Sequence, residues 1–282
     1  ASLLLLLLLL LLLSRPTLNS LPSHPCAFAS SPFLRVCRRS NLCSLRSQEE
    51  EQVIAATRLW IDDWVVGLSL CPWASMVRQP PSLNFAVIES SEEMDEDVDT
   101  VVHEAKKLLD IHTQCNRDQN SRLFATTLLI FPSEKYTGRD PQSLVNRSDG
   151  TKPGVICGEF PRFTKLCQAA LADMPVDLLA FHRWRLDEGP GCTSELDDAA
   201  HFSVRSPYPT LQLLVKDDLK FARQQWRTWQ RKRNGSSDED LSTLGLLFAN
   251  KAKLRSIGFD TLAAQMRRFF EFRGNMSAKS AR

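Results

Sequence analysis

Arg205, His182 and Cys71 are the residues whose types and surroundings best suit chemistry, with Tyr208 and Arg78 as supporting groups. Arg205 opens the run Arg205-Ser206-Pro207-Tyr208-Pro209, which leads into the apolar Thr210-Leu211-Gln212-Leu213-Leu214-Val215. Prolines at alternate positions fix φ at roughly −65° and push Ser206 and Tyr208 into extended conformations. The stretch therefore reads as a stiff ramp into a strand, aiming a guanidinium whose planar fork matches carboxylate or phosphate. A salt bridge to a loop acid such as Asp198 is its structural alternative. His182 stands near the carboxyl end of an apolar segment, where open α/β sheets place ligands. An imidazole also titrates near neutrality and suits acid/base work. The alternative there is a core histidine with both nitrogens bonded. Cys71 could act as a nucleophile beside a histidine. It falls where a helix ends, and the negative end of the helix dipole disfavours a thiolate. Cys71 thus reads as a small buried residue unless Arg78, His182 or Arg205 folds over it. Tyr208 reads as a packed ring whose hydroxyl reaches a polar neighbour.

Two charged segments accompany these groups. Residues 186–206 hold Asp187, Glu188, Glu195, Asp197, Asp198 and His201, oxygen and imidazole donors suited to a divalent cation. Their spacing matches no metal pattern, and no metal or other cofactor is assigned. Residues 221–233 interleave Arg223, Arg227, Arg231, Lys232 and Arg233 with Trp226 and Trp229. Such a helix could bind RNA, or its cations could simply satisfy the helix dipole.

The chain has 282 residues with 43% apolar and 24% charged content, room for one good-sized domain with a substantial core. Its net charge of +2 hides an asymmetry. The first 46 residues carry Arg15, Arg35, Arg38, Arg39 and Arg46 and no acid, so the rest has 30 basic against 33 acidic residues, a balance of −3. That mildly acidic body argues against general nucleic-acid binding. Leu3 to Leu13 are eleven consecutive leucines, too few for a membrane span of about 20 residues but suited to the apolar core of a signal peptide. The Ser-, Arg- and Pro-rich stretch that follows has transit-peptide composition. This two-part leader, residues 1–46, predicts delivery to a plastid inside extra membranes, with a mitochondrial or secreted location as alternatives and no membrane span in the mature chain. Three of the eight cysteines fall in the leader; the remaining Cys71, Cys115, Cys157, Cys167 and Cys192 form no pairing pattern, as in a reducing compartment.

The elements that must position the candidate groups follow from periodicity. Apolar residues at helical spacing predict a helix over 47–70, begun by a capping box at Ser47 and Glu50 and stopped by Pro72. Strands are predicted at 84–89, 123–131, 176–185 and 209–216. The second is the longest apolar run of the body and reads as central and buried. Helices are predicted at 95–111, 160–172, 217–233, 238–256 and 260–272, with Gly258 as a C-cap. Residues 133–158 carry turn signals without periodicity and read as an inserted loop. The fold class is therefore α/β: a single domain over 47–258, with a four-stranded mixed sheet covered by helices, then a C-terminal helix and tail over 259–282.

Three stretches resemble the family catalogued as domain of unknown function 1415. They are Gly67-Leu68-Ser69-Leu70-Cys71-Pro72-Trp73-Ala74, similar to that family's Gly-Leu-Asn-Leu-Cys-Pro-Phe-Ala; Phe181-His182; and the ramp with its strand. Asn250, Leu254 and Gly258 add a weaker match. The chain departs from the family's asparagine at His201 and Val204 and from its histidine at Gln212. The family has no established activity, so the resemblance implies none. No P-loop, G-x-G-x-x-G or G-x-S-x-G is present. The residues themselves predict a pocket at the strand carboxyl ends that binds or converts a small anionic metabolite. Arg205, Tyr208 and Arg78 would bind it, with His182 as acid or base and Cys71 nearby. The alternative is a non-catalytic binding or assembly protein using the same cleft or the basic Trp helix. Reaction, cofactor and oligomeric state stay open.

Overall fold

The computed structural model describes residues 41–71, 74–77, 82–116, 124–138, 158–234 and 243–280, for some helical residues as backbone only. The predicted leader up to residue 40, Arg78, Cys157 and most of the predicted insertion lie outside the described residues. Four strands form the sheet: β1 (Leu83–Val87), β2 (Thr126–Ile130), β3 (Val176–Phe181) and β4 (Thr210–Val215). Their order is β1-β2-β4-β3, with β1 parallel to β2 and β4 antiparallel to both its neighbours. Parallel pairing requires a crossover, which α3 (Met94–Cys115) supplies between β1 and β2. The fold is thus α/β with a mixed four-stranded sheet, and β2 is interior and buried at every position.

Alternation along each strand divides the core into two faces. Leu129, Phe131, Leu178, Ala180, Leu211 and Leu213 pack under Val101, Ala105 and Leu108 of α3 and under Phe163 and Cys167 of α5 (Phe160–Ala170). Leu128, Leu179, Phe181 and Leu214 pack on the other side under Trp60, Ile61, Trp64 and Val65. The same cluster takes in Leu262, Met266 and Phe269 of α8 (Phe259–Ser280), so the C-terminal helix shares this core. Each large side chain buried in these layers contributes about 1.5–3 kcal/mol.

The first helix differs from the prediction at both ends. α1 runs Asn41–Trp60 and passes through Ser47, which is therefore not its cap. After Trp60 the chain widens into a π-helical turn, Ile61–Val66, instead of continuing to Leu70. That turn ends at Gly67, a position where a Cβ would stand 2.3 Å from the Asp63 carbonyl oxygen. Ser69 then adopts φ +50°, a left-handed conformation that costs an L-residue roughly 1–2 kcal/mol and that asparagine or glycine tolerates better. Ser69→Gly is accordingly expected to stabilise the protein by about 0.5–1 kcal/mol. Urea denaturation checks this, and a lowered midpoint would contradict it.

Beyond the turn come the short α2 (Ala74–Val77) and, after β2, α4 (Glu134–Thr137), capped by Ser133. β3 ends at Phe181, four residues earlier than expected, which puts His182 just past the strand. The acid-rich loop contains a 3₁₀ helix, Ala199–Val204, capped by Asp198. α6 (Lys216–Asn234) follows β4, and α7 (Thr243–Ile257) packs along the 3₁₀ helix. Gly258, at φ +89°, donates its N–H to the Leu254 carbonyl at 3.1 Å and caps α7 as predicted.

Candidate functional site

Because β4 is antiparallel, Thr210 at its start pairs with Ile130 and Phe181 at the ends of β2 and β3. The ramp and His182 therefore meet at one sheet edge, where the His182 N–H donates to the Val204 carbonyl at 3.2 Å. The side chains there are turned toward the protein itself. His182 has no exposed surface. The Trp184 N–H donates to its Nδ1 at 3.1 Å, which makes Nδ1 the acceptor and Nε2 the protonated nitrogen. Nε2 donates to the Tyr136 carbonyl at 2.9 Å. Burial pushes the imidazole down to about 4, so at neutral pH it is uncharged with both nitrogens engaged by backbone. In this geometry it ties the turn after β3 to α4 and is not positioned for proton exchange with a ligand.

Arg205 is buried to 5% exposure. Its guanidinium lies 4.5 Å from the Phe202 ring and 5.6 Å from that of Phe259. It donates to the carbonyls of Leu196 at 3.2 Å and Arg185 at 3.4 Å. The ramp does aim the arginine, but inward, as a bracket for the loop. Asp198, the acid named as its structural alternative, is held instead by Arg255, through Nε at 2.9 Å and Nη2 at 2.6 Å. That pairing holds the carboxyl well below its usual range. Tyr208 packs its ring with Val53, Ala56 and Ile130. Its carbonyl accepts from the hydroxyls of Ser206 at 2.5 Å and Thr210 at 2.8 Å, which lock the ramp.

The loop is fastened by a second histidine of the same design. The Asp187 N–H donates to His201 Nδ1 at 2.9 Å, and His201 Nε2 bonds the Glu195 carbonyl at 2.8 Å. Burial lowers the pKa of this ring as well. Asp187 forms a buried ion pair with Lys251 of α7 at 3.0 Å. Among the described residues no group of three or more His, Cys, Asp and Glu is arranged to hold a metal ion.

Sequence reasoning missed the clamp that α7 makes. Asn250 Nδ2 donates to the Leu70 carbonyl at 3.0 Å, and Lys253 Nζ to that of Leu68 at 2.6 Å. On the loop side, Lys251 donates to the Pro190 carbonyl at 2.7 Å and Arg255 to that of Gly191 at 2.6 Å. The Gly67–Cys71 turn and the acid-rich loop are thus bound by one helix. A second network was also missed. Asp97 accepts from the Tyr136 hydroxyl at 2.6 Å, the Ser91 N–H at 2.8 Å and Lys135 Nζ at 3.2 Å. Burial first, then the hydrogen bond to Asp97, raises the pKa of Tyr136 far above its ordinary value. The acid-led start of α3 was the available signal.

Two cavities adjoin these parts. An open cleft of about 600 Å³ lies where the loop meets the end of α7, lined by Cys192, Glu195, Asp198, Arg255 and Phe259. Burial pushes the Cys192 thiol up to about 11, so it stays protonated at neutral pH. The other cavity, of about 90 Å³, lies on the opposite side of the sheet from α3 and α5. It is bounded by Trp60, Ile61 and Val65 at the π-helical turn, by Leu128, Leu179 and Phe181 of the sheet, and by Leu219 and Ala222 of α6. Cys71 lies on its wall with Thr126, Gln212 and Asp218. The structure therefore brings His182, Arg205 and Tyr208 to one sheet edge, while Cys71 borders this apolar cavity.

Among the described residues no helix is long and apolar enough to cross a membrane. No curated protein and no solved structure matches the chain. Residues 52–150, from α1 through the π-helical turn, β1, α3, β2 and α4, match the family described as Protein of unknown function (DUF1415), and this part of the chain is a domain of that family.

Proposed function

We propose that the protein binds a small, mostly apolar molecule in the cavity between the π-helical turn and the sheet. The observation that carries this reading is the cavity itself, a mostly apolar space bordered by the buried cluster on this side of the sheet. Interiors pack to a density that leaves few voids larger than water, and π-helical turns are often retained at functional sites. Here the π-helical turn forms one wall. The sheet edge holding Arg205 and His182 offers less support for an anionic metabolite, since both groups are buried and bonded to backbone. In the basic helix the side chains of Trp226, Arg227, Trp229 and residues 231–233 lie outside the described residues, so the assembly reading draws nothing from the structure. The proposed activity is binding, because the two loop histidines serve as uncharged clamps.

Thermal denaturation with a panel of small phenols, alcohols and amides tests the proposal on wild type and Ala222→Leu. Ala222 is buried on the cavity wall, so leucine fills space the ligand needs. A ligand at 100 times its dissociation constant stabilises by about 2.7 kcal/mol, several degrees of midpoint for a domain this size. The expected result is a shift in wild type that is absent in the variant, each measured against its own unliganded state. Equal shifts in both proteins, or none in wild type, would sink the proposal.

A further inference from the structure

Gln212 is the one amide side chain on the cavity wall among the described residues. In the sheet it stands between Leu128 of β2 and Leu179 of β3, half-buried on the cavity wall. Its neighbour Thr126 donates its hydroxyl hydrogen to the Leu213 carbonyl at 2.8 Å. A hydroxyl has one hydrogen, so toward Gln212 the Thr126 oxygen can only accept. Gln212 Nε2 donates to it at 3.1 Å, which settles the orientation of the amide. Oε1 is left as an acceptor with no partner among the described residues.

Most of the wall is hydrocarbon, including Leu128, Leu179, Phe181 and Leu214, with Thr126, Cys71 and Asp218 as the other polar groups. A ligand that supplies a donor at that point gains a hydrogen bond to Oε1 that a purely apolar ligand of the same shape does not make. The volume of about 90 Å³ is below the roughly 150 Å³ of an engineered apolar cavity that takes up benzene. The seated part is therefore a short alkyl chain or the inner portion of one ring.

We infer that the ligand joins a short apolar body to a single hydroxyl or N–H donor, received by Gln212 Oε1. This rests on the preceding reading that the cavity binds a small molecule. Phenol and toluene, matched in shape and differing in the donor, test it by calorimetry on the full chain. Wild type is expected to bind phenol about tenfold more tightly than toluene. Gln212→Met, which keeps the length and removes the acceptor, should weaken phenol alone and bring the two within about twofold. Gln212→Leu serves the same purpose if the methionine variant folds poorly, and the wild-type comparison needs no variant. Equal affinities in wild type, or a phenol preference that survives in Gln212→Met, would overturn the role of Gln212 and leave cavity binding standing. Binding of neither compound to wild type would overturn both readings.

Discussion

Lys251→Met is expected to destabilise the protein by about 3–5 kcal/mol, the loss found when one partner of a buried ion pair is removed. Lys251 has no exposed surface, and its Nζ lies 3.0 Å from Asp187 Oδ2. Asp187 also accepts from the Gly189 N–H at 2.8 Å and the Ser203 hydroxyl at 3.1 Å. Burial works to raise the Asp187 carboxyl, but the Gly189 N–H and Lys251 outweigh it and keep it below its ordinary value. Removing the ammonium leaves a carboxylate out of water with neutral donors alone. The double variant Lys251→Met with Asp187→Asn should recover about 1–2 kcal/mol of that loss, because the uncompensated charge is gone and the two donors keep a partner. Urea denaturation of the two single variants and the double gives the coupling. The loop fastened by the pair also carries the half-buried Cys192, so faster thiol labelling of Cys192 in Lys251→Met is the companion result. A cost below about 1 kcal/mol would show that the pair is not the loop's anchor.

Acid is expected to cost the protein about 3 kcal/mol between pH 6.5 and pH 4 through His182 alone. In the unfolded chain a histidine titrates at about 6.5, whereas burial pushes His182 down to about 4 in the folded state. The folded state therefore favours the neutral ring. Its contribution is complete above the unfolded value and is lost as pH falls through the window between the two. His201, lowered by burial in the same direction, adds to the loss. Asp187 and Asp198, both held below their ordinary range, extend it to still lower pH. His182→Gln remains neutral at every pH and keeps a donor for the Tyr136 carbonyl. Its plot of stability against pH should be flatter than that of wild type between pH 6.5 and 4.5. Parallel curves would remove His182 as the source of acid lability.

The strands and most helices were legible because their burial follows simple periods. The run ending at Phe131 could only be an interior strand, and the acid-led pattern after Asp95 only a helix with its carboxylates at the positive end of the dipole. The meeting of Arg205 with the His182 turn was also legible, since a proline-stiffened ramp leads directly into an apolar strand. What the prolines do not encode is the direction of the arginine, which depends on where Phe202 and Phe259 lie. Lys251 was invisible for a related reason. Within Asn250-Lys251-Ala252-Lys253 it looks like any solvated helix cation, and its partner Asp187 is 64 residues away. The π-helical turn was hidden because the apolar stripe from Ile54 to Leu68 fits a helix of ordinary pitch. Only the packing of Trp60 and Trp64 against Phe181 and Phe202 distinguishes the wider turn.

The grip of α7 on its neighbours reaches main-chain oxygens: those of Leu68 and Leu70 on one side, and of Pro190 and Gly191 on the other. A carbonyl oxygen is the same whichever amino acid carries it. Apart from Asp187 and Asp198, whose carboxylates Lys251 and Arg255 also hold, the gripped segments are thus free to drift in sequence, within their packing limits, without losing these bonds. The gripping positions Asn250, Lys251, Lys253 and Arg255 have no such freedom, because each needs a particular donor at a particular reach. Over evolutionary time the imprint of this joint should gather on a single helix and the two loop acids it pairs with, while the rest of the turn and loop diverges around them.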